Sequence, residues 1–401
     1  QMGLHKEREM EEENTIETGQ MLVKAVAKAN MLRMELETIF VNREEHIRGL
    51  LIALVSRQNV LMVGPPGCGK TLLADKFAGA TRLNYFSTEL SNFSTPEQIF
   101  GGLNMKWYME TGKQCRDTEG YLPWADIALL DEIARASESC LDSMLKALDN
   151  SRQFRDGGKT VKIPLMTAIG AANHWIEGDH LDALDDRFVL RFGVEEVLDT
   201  DLRRQIRKRR KKMSVGCSLS PEDVSALQEA CIAVEIPDSM HDMVDLVEVS
   251  LMEKLGRMPS SRRMNAAMDA ICASAVLEGR ATAETEDLLV MEHILWRKPE
   301  DEATVRKTVV ECVFADKAKA EQLYGEWLVD FDEIVKANSG ISNVPTSAVE
   351  GLAQSINKIG EVVAELDKKQ TKSVVKKMRD QFQKLCVEKR RRESVIPTWM
   401  G

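Results

Sequence analysis

Residues 64 to 71 read Gly64-Pro65-Pro66-Gly67-Cys68-Gly69-Lys70-Thr71, directly behind the apolar run Asn59-Val60-Leu61-Met62-Val63 and ahead of a helical pattern that continues to Ala78. That order of strand, glycine loop and helix constrains the fold more than any other stretch, because it is the opening unit of a parallel sheet flanked by helices. It constrains the chemistry as well. In the spacing Gly-x-x-x-x-Gly-Lys-Thr the glycines let backbone N–H groups close around phosphate oxygens at a helix N-terminus. The ligands expected are ATP and Mg2+, with Gly64, Pro65, Pro66, Gly67, Cys68, Gly69, Lys70, Thr71 and Leu72 wrapping the nucleotide. In this reading Lys70 reaches the β and γ phosphates and Thr71 ligates the metal. The bland alternative is a glycine turn that holds no nucleotide.

Sixty residues on, Ile127-Ala128-Leu129-Leu130-Asp131-Glu132 is an apolar strand ending in two carboxylates. Strands of a parallel sheet open at their C-terminal ends onto one crevice, so this pair meets the glycine loop there. Asp131 can then hold magnesium through water and Glu132 can polarise the attacking water. Leu165 to Ala172 reads as another strand, ending at Asn173. The Asn173 amide can orient that water or contact the γ phosphate; as a turn residue it would bond its own backbone instead.

The expected architecture is α/β: a P-loop NTPase core with a parallel sheet over residues 45–196, preceded by one or two helices over 1–44. An all-helical lid follows over 197–300, with Ser220-Pro221-Glu222-Asp223 reading as a helix start in which Ser220 is the cap. The region 301–401 reads as helical too, and Leu352, Ile356, Ile359, Val363 and Leu366 recur at the spacing of a bundle or coiled-coil seam. Within the core, Gln153 to Pro164 with Asp156-Gly157-Gly158 reads as a hairpin.

Charge and cysteine usage narrow the classes. A formal net charge of −10 argues against a surface that grips nucleic acid as a whole. One local exception is Arg203 to Lys212, with eight basic residues in ten, which reads as a phosphate grip or, in preference, as a solvated helix face balanced by Glu195, Glu196, Asp199 and Asp201. The eight cysteines stand singly with no CxxC pair, so buried thiols and a reducing, cytoplasmic setting are expected. No apolar run approaches the about 20 residues of a membrane span.

Taken together these residues resemble the MoxR branch of the AAA+ ATPases, and most of all its RavA-type members, from about Phe40 to Asp301. The resemblance rests on the glycine loop, on Tyr85-Phe86-Ser87-Thr88-Glu89-Leu90 with Pro96-Glu97-Gln98-Ile99-Phe100-Gly101, and on Glu119-Gly120-Tyr121-Leu122-Pro123. It continues through Leu130-Asp131-Glu132-Ile133, Asn173, Asp186-Arg187-Phe188, Ser261-Arg262-Arg263 and Leu277-Glu278-Gly279-Arg280.

The resemblance implies a homo-oligomer, a hexameric ring with nucleotide between neighbouring subunits. Asn173 matches the sensor 1 position and Arg187 the arginine finger lent to a neighbour's γ phosphate, unless Arg187 is a structural partner of Asp185 or Asp186. Arg262 matches sensor 2, with Arg263 beside it and a plain helix-start ion pair as the alternative. Arg135 is a further residue for the subunit interface. The stretch Leu103 to Tyr121, with Lys106, Trp107 and Tyr108, takes the place of the family's insertion, facing a pore or partner or serving as packing. The implied function is remodelling or activation of a protein client, with a von Willebrand A domain protein as partner; the alternatives are a nucleic-acid motor and a nucleotide-gated scaffold.

Overall fold

The computed structural model describes residues 2–175, 182–209 and 214–314 of the 401-residue chain. Residues up to Arg306 belong to one compact unit and Lys307 onward to a second. At the centre of the first lie β1 (Asn59–Val63), β2 (Tyr85–Glu89) and β3 (Ile127–Asp131), and, after the separate antiparallel hairpin of β4 (Gln153–Asp156) and β5 (Lys159–Lys162), β6 (Thr167–Ala172) and β7 (Phe188–Gly193). The sheet runs β2-β3-β6-β1-β7 and every pairing in it is parallel. β1 and β6 are buried along their whole length, which is why they read as unbroken apolar runs and not as alternating ones.

Register fixes where the chemistry falls. Val63 pairs with both Ala172 and Gly193, and Glu89 pairs with Asp131, so the loops after β1, β3 and β6 leave the sheet at the same edge. The fifth strand, β7, is an addition to the sequence reading, in which Phe188 to Phe192 figured only as the surroundings of Arg187. Its charged centre, Arg191, hides a strand pattern. The arginine is accommodated because Asp185 meets it at 2.6 Å and it donates to the carbonyls of Arg297 and Asp185.

The chain begins with one long helix, α1 (Met2–Ile39), followed by α2 (Glu44–Ser56). Ala25, Ala29, Leu32 and Leu36 are fully buried, at spacings of four, three and four that keep them on one face of α1. On the far side of the glycine loop α3 (Lys70–Gly79) packs on β3 and β6. The stretch after β2 carries α4 (Pro96–Phe100) and α5 (Met105–Thr111); α6 (Glu138–Leu148) precedes the hairpin and α7 (Asp182–Asp185) precedes β7. The basic helix α8 (Thr200–Arg209) follows the sheet.

Three helices then form the helical part, α9 (Pro221–Ile232), α10 (Asp238–Leu255) and α11 (Ser261–Leu277), with a 3-10 run at Thr285–His293 and α12 (Pro299–Val313) after it. Ser220 caps α9 as its sequence suggests: its hydroxyl accepts from the Asp223 N–H at 3.2 Å while Asp223 accepts from the Ser220 N–H at 2.9 Å. Asp223 also takes Lys28 of α1 at 2.6 Å, and Glu35 accepts the Gly216 and Cys217 N–H groups, so α1 is fastened to the helical part.

The insertion and the hairpin, read separately in the sequence, form one surface piece. A Cβ on Gly157 would stand 2.0 Å from the Gln114 carbonyl oxygen, so the hairpin tip closes onto the insertion, and the Arg116 N–H donates to Asp156 Oδ1 at 3.1 Å. No residue of α5 is buried, and Met105, Trp107, Tyr108 and Met109 all stand exposed. Arg152, buried and at φ 47°, donates to Asn59 Oδ1 and to the Arg57 and Met166 carbonyls, tying the hairpin base to the start of β1. The heptad-like seam from Leu352 to Leu366 lies outside the described residues, as do Arg210, Lys211 and Lys212.

Candidate nucleotide site

The glycine loop is set by backbone demands before any ligand is considered. Gly67 and Gly69 take φ of 84° and 90°, a conformation side chains rarely adopt. Gly64 is required for a different reason: a Cβ there would lie 2.0 Å from the Val194 carbonyl oxygen, where the chain leaving β7 crosses the loop. Gly69 stands immediately before α3, whose first-turn N–H groups have no acceptor within the helix and face the loop's interior.

Five polar side chains converge on this loop from three strands. Lys70 is buried, and its ammonium donates to the Gly64 carbonyl at 2.6 Å, to the Pro65 carbonyl at 3.1 Å and to Asn173 Oδ1 at 3.2 Å. The other end of Asn173 donates through Nδ2 to Glu132 Oε1. Thr71 donates from Oγ1 to Asp131 Oδ2 at 2.7 Å, and the second oxygen of Asp131 accepts from the Glu132 N–H at 2.9 Å. Glu132 sits at φ 51°, so the chain turns sharply at the strand end and its carboxylate is aimed back across the sheet toward Asn173. Lys70, Thr71, Asp131, Glu132 and Asn173, widely separated in the chain, are thus one hydrogen-bonded set.

The arginine candidates, Arg187 for a neighbour's site and Arg262 as sensor 2, bond other residues within this chain. Arg187 is half-buried; its guanidinium donates to the carbonyls of Ala183 and Leu145 and makes no ion pair with Asp185 or Asp186 among the described contacts. Arg262 pairs with Asp186 at 3.1 Å and Asp149 at 3.3 Å. Arg263 is 1 % exposed, meets Asp185 at 3.5 Å and donates to the Ile294 and Trp296 carbonyls, as a core residue does. Arg135 is exposed in a 3-10 turn after Glu132. None of these four bonds a residue of the glycine loop among the described contacts.

Sequence reasoning also passed over a wall of the site. Beside the loop is a cavity of about 560 Å³ lined by Gly67, Cys68, Gly69 and Leu72, by Ile39, Phe40, Val41 and Arg43 from the corner between α1 and α2, and by residues of α8. Ile39, Phe40, Val41 and Leu72 give it an apolar side. Arg43, 6 % exposed, braces the place by donating to the Glu195 carbonyl at 2.5 Å and the Cys68 carbonyl at 3.4 Å; burial lowers its pKa from the ordinary arginine value. The only sequence signal for it was a lone arginine just before an apolar helix.

A parallel sheet of this order with a glycine loop after β1, between β6 and β7 in the sheet, paired carboxylates at the end of β3 and a helical part behind defines an AAA+ ATPase fold. Residues 27–229 match the family model for the MoxR domain of the MoxR-vWA-beta-propeller ternary systems, and residues 239–309 match an AAA lid domain. The chain belongs to the MoxR family of AAA+ ATPases. It is 28% identical over 363 residues to an uncharacterised protein of Methanocaldococcus jannaschii, covering 88% of this chain and 93% of that one. It is 27% identical over 164 residues to the chaperone MoxR1 of Mycobacterium tuberculosis, covering 40% and 42%. The crystal structure of a protein assigned as an ATPase from Cytophaga hutchinsonii superposes with a TM-score of 0.59 at 17% identity, covering 76% of this chain and 98% of that one.

Proposed function

We propose that this chain hydrolyses Mg-ATP as a subunit of a ring, and uses the cycle to remodel or activate a protein client through a partner bearing a von Willebrand A domain. The observation that carries the reading is the hydrogen-bonded set itself, all within one subunit: Lys70 to Asn173 to Glu132, and Thr71 to Asp131, at the mouth of the glycine loop. The Thr71 hydroxyl and the Asp131 carboxylate are hard oxygen donors side by side, the set that would hold magnesium, which when bound neutralises charge on the phosphates. Lys70 binds the β and γ phosphates. Asn173 fixes the Glu132 carboxylate, and Glu132 orients the water and receives its proton as the terminal phosphate leaves.

Among the described residues no arginine bonds Asp131, Glu132 or Asn173, and a neighbour's Arg187 supplies the second cation. Arg262, joined to Asp186 beside that arginine, acts from the same face. Assembly and hydrolysis are therefore coupled. The name of the matched family model associates MoxR domains with von Willebrand A proteins and supports that choice of partner.

Mixing two inactive variants tests the shared site. Glu132→Gln keeps a good finger and a dead pocket, and Arg187→Ala keeps a good pocket and a dead finger. Mixed rings are expected to recover turnover that neither variant shows alone. Full activity of Arg187→Ala by itself, or no recovery on mixing when both variants still assemble, overturns the interface reading.

A further inference from the structure

The basic tract splits into two faces once it is placed in the fold. Arg203, Ile206 and Arg207 of α8, spaced by three and four, line the 560 Å³ cavity beside Gly67, Cys68 and Gly69, whereas Arg204 and Lys208 line no part of it. Arg209 also lines the cavity and is moored to α1 by donating to the Glu37 carbonyl at 3.3 Å. Four arginines, counting Arg43, therefore face one glutamate, Glu196, in that space. Such an excess of guanidinium around an open cavity of this size suits an anionic ligand. Lys70, Thr71, Asp131 and Glu132 are not among the cavity's walls, so it extends from the loop away from those side chains.

Resting on the ATP reading above, we propose that Arg203 and Arg207 are nucleotide-binding residues that hold the ribose and first phosphates, with Ile206 between them against the base. The tract is then a clamp on a mononucleotide and not a grip on nucleic acid. Arg203 is free to do this at little cost, because its present partner, Glu196 at 3.8 Å, is a half-exposed surface pair. ATP and ADP share the part of the molecule these arginines meet. Their loss must therefore weaken both nucleotides by the same factor, unlike loss of a group that meets the terminal phosphate.

The test is a titration of fluorescent ADP and ATP against the full-length chain. The double variant Arg203→Gln/Arg207→Gln is expected to weaken both nucleotides about ten- to a hundredfold with their ratio unchanged. Arg203→Lys/Arg207→Lys is expected to recover part of the affinity, which a merely misfolded chain would not, and Arg204→Gln/Lys208→Gln to bind as the unmodified chain does. Wild-type affinity in the inner Gln variant overturns the proposal while leaving the glycine-loop reading intact. That reading is tested separately by Lys70→Ala, which must lose both nucleotides. Retained ADP affinity together with loss of a labelled single-stranded oligonucleotide in the inner variant also overturns it and returns the tract to nucleic acid.

Discussion

Two polar clusters lie in this molecule, and they are built on opposite principles. In the set around the glycine loop the side chains bond mainly to one another: Lys70 to Asn173, Asn173 to Glu132, Thr71 to Asp131, with four of the five open to solvent. In the set around Asp185 the arginines are dry. Arg191 and Arg263 are about 1 % exposed and spend their donors on Asp185 and on the carbonyls of Arg297, Ile294 and Trp296. The first cluster holds itself in a form a ligand can replace bond for bond. The second is buried and joins β7 to the helical part, so Arg191 and Arg263 read as structural, and Arg262, half-exposed beside them, is the member we propose for chemistry.

The contrast can be broken by mutation. Arg191→Met removes the 2.6 Å partner of the buried Asp185 carboxylate, leaving Arg263 at 3.5 Å, and is expected to cost about 3 kcal/mol of stability in chemical denaturation. A loss below about 1 kcal/mol would show that the dry cluster is not structural. Lys70→Ala makes the complementary case: stability without nucleotide within about 1 kcal/mol of the unmodified chain, and nucleotide affinity reduced roughly a hundredfold. If it instead unfolds like Arg191→Met, the two clusters do not differ in kind.

The pH dependence sharpens the boundary between sheet and helical part. His293 packs on Phe192 with ring centroids 4.6 Å apart, and burial is the main cause that takes its pKa down to about 4, with Arg306, His46 and Arg48 acting in the same direction and Glu45 against it. The unfolded chain, with a histidine near 6.5, binds more protons than the folded one between these values. Stability is therefore full above pH 6.5 and falls toward pH 4, by on the order of 2 kcal/mol. Denaturant midpoints at pH 7.5 and 5 measure it, and His293→Phe is expected to flatten the difference. A difference as large in His293→Phe as in the unmodified chain would assign the dependence to other groups.

Much of the loop side was legible in the sequence, because the demands there are local: glycines for positive φ, an apolar strand before them, carboxylates at a strand end. Asn173 was legible for the same reason. What escaped was non-local. β7 was hidden by Arg191, whose compensation is an aspartate six residues earlier and carbonyls from a distant segment. The cavity walls from Ile39 to Arg43 and from α8 meet only when the chain has closed over the loop, and no spacing announces that. The basic tract shows the same limit: its composition suggested a phosphate grip or a solvated face, and only the fold divides its residues between the two.

In the proposed ATP site Glu132 serves the water and not the nucleotide. Side-by-side measurement of ATP affinity and turnover in Glu132→Gln tests it most directly. ATP is expected to bind within about threefold of the unmodified chain and turnover to fall at least about a hundredfold. Turnover at the unmodified rate in Glu132→Gln would contradict it.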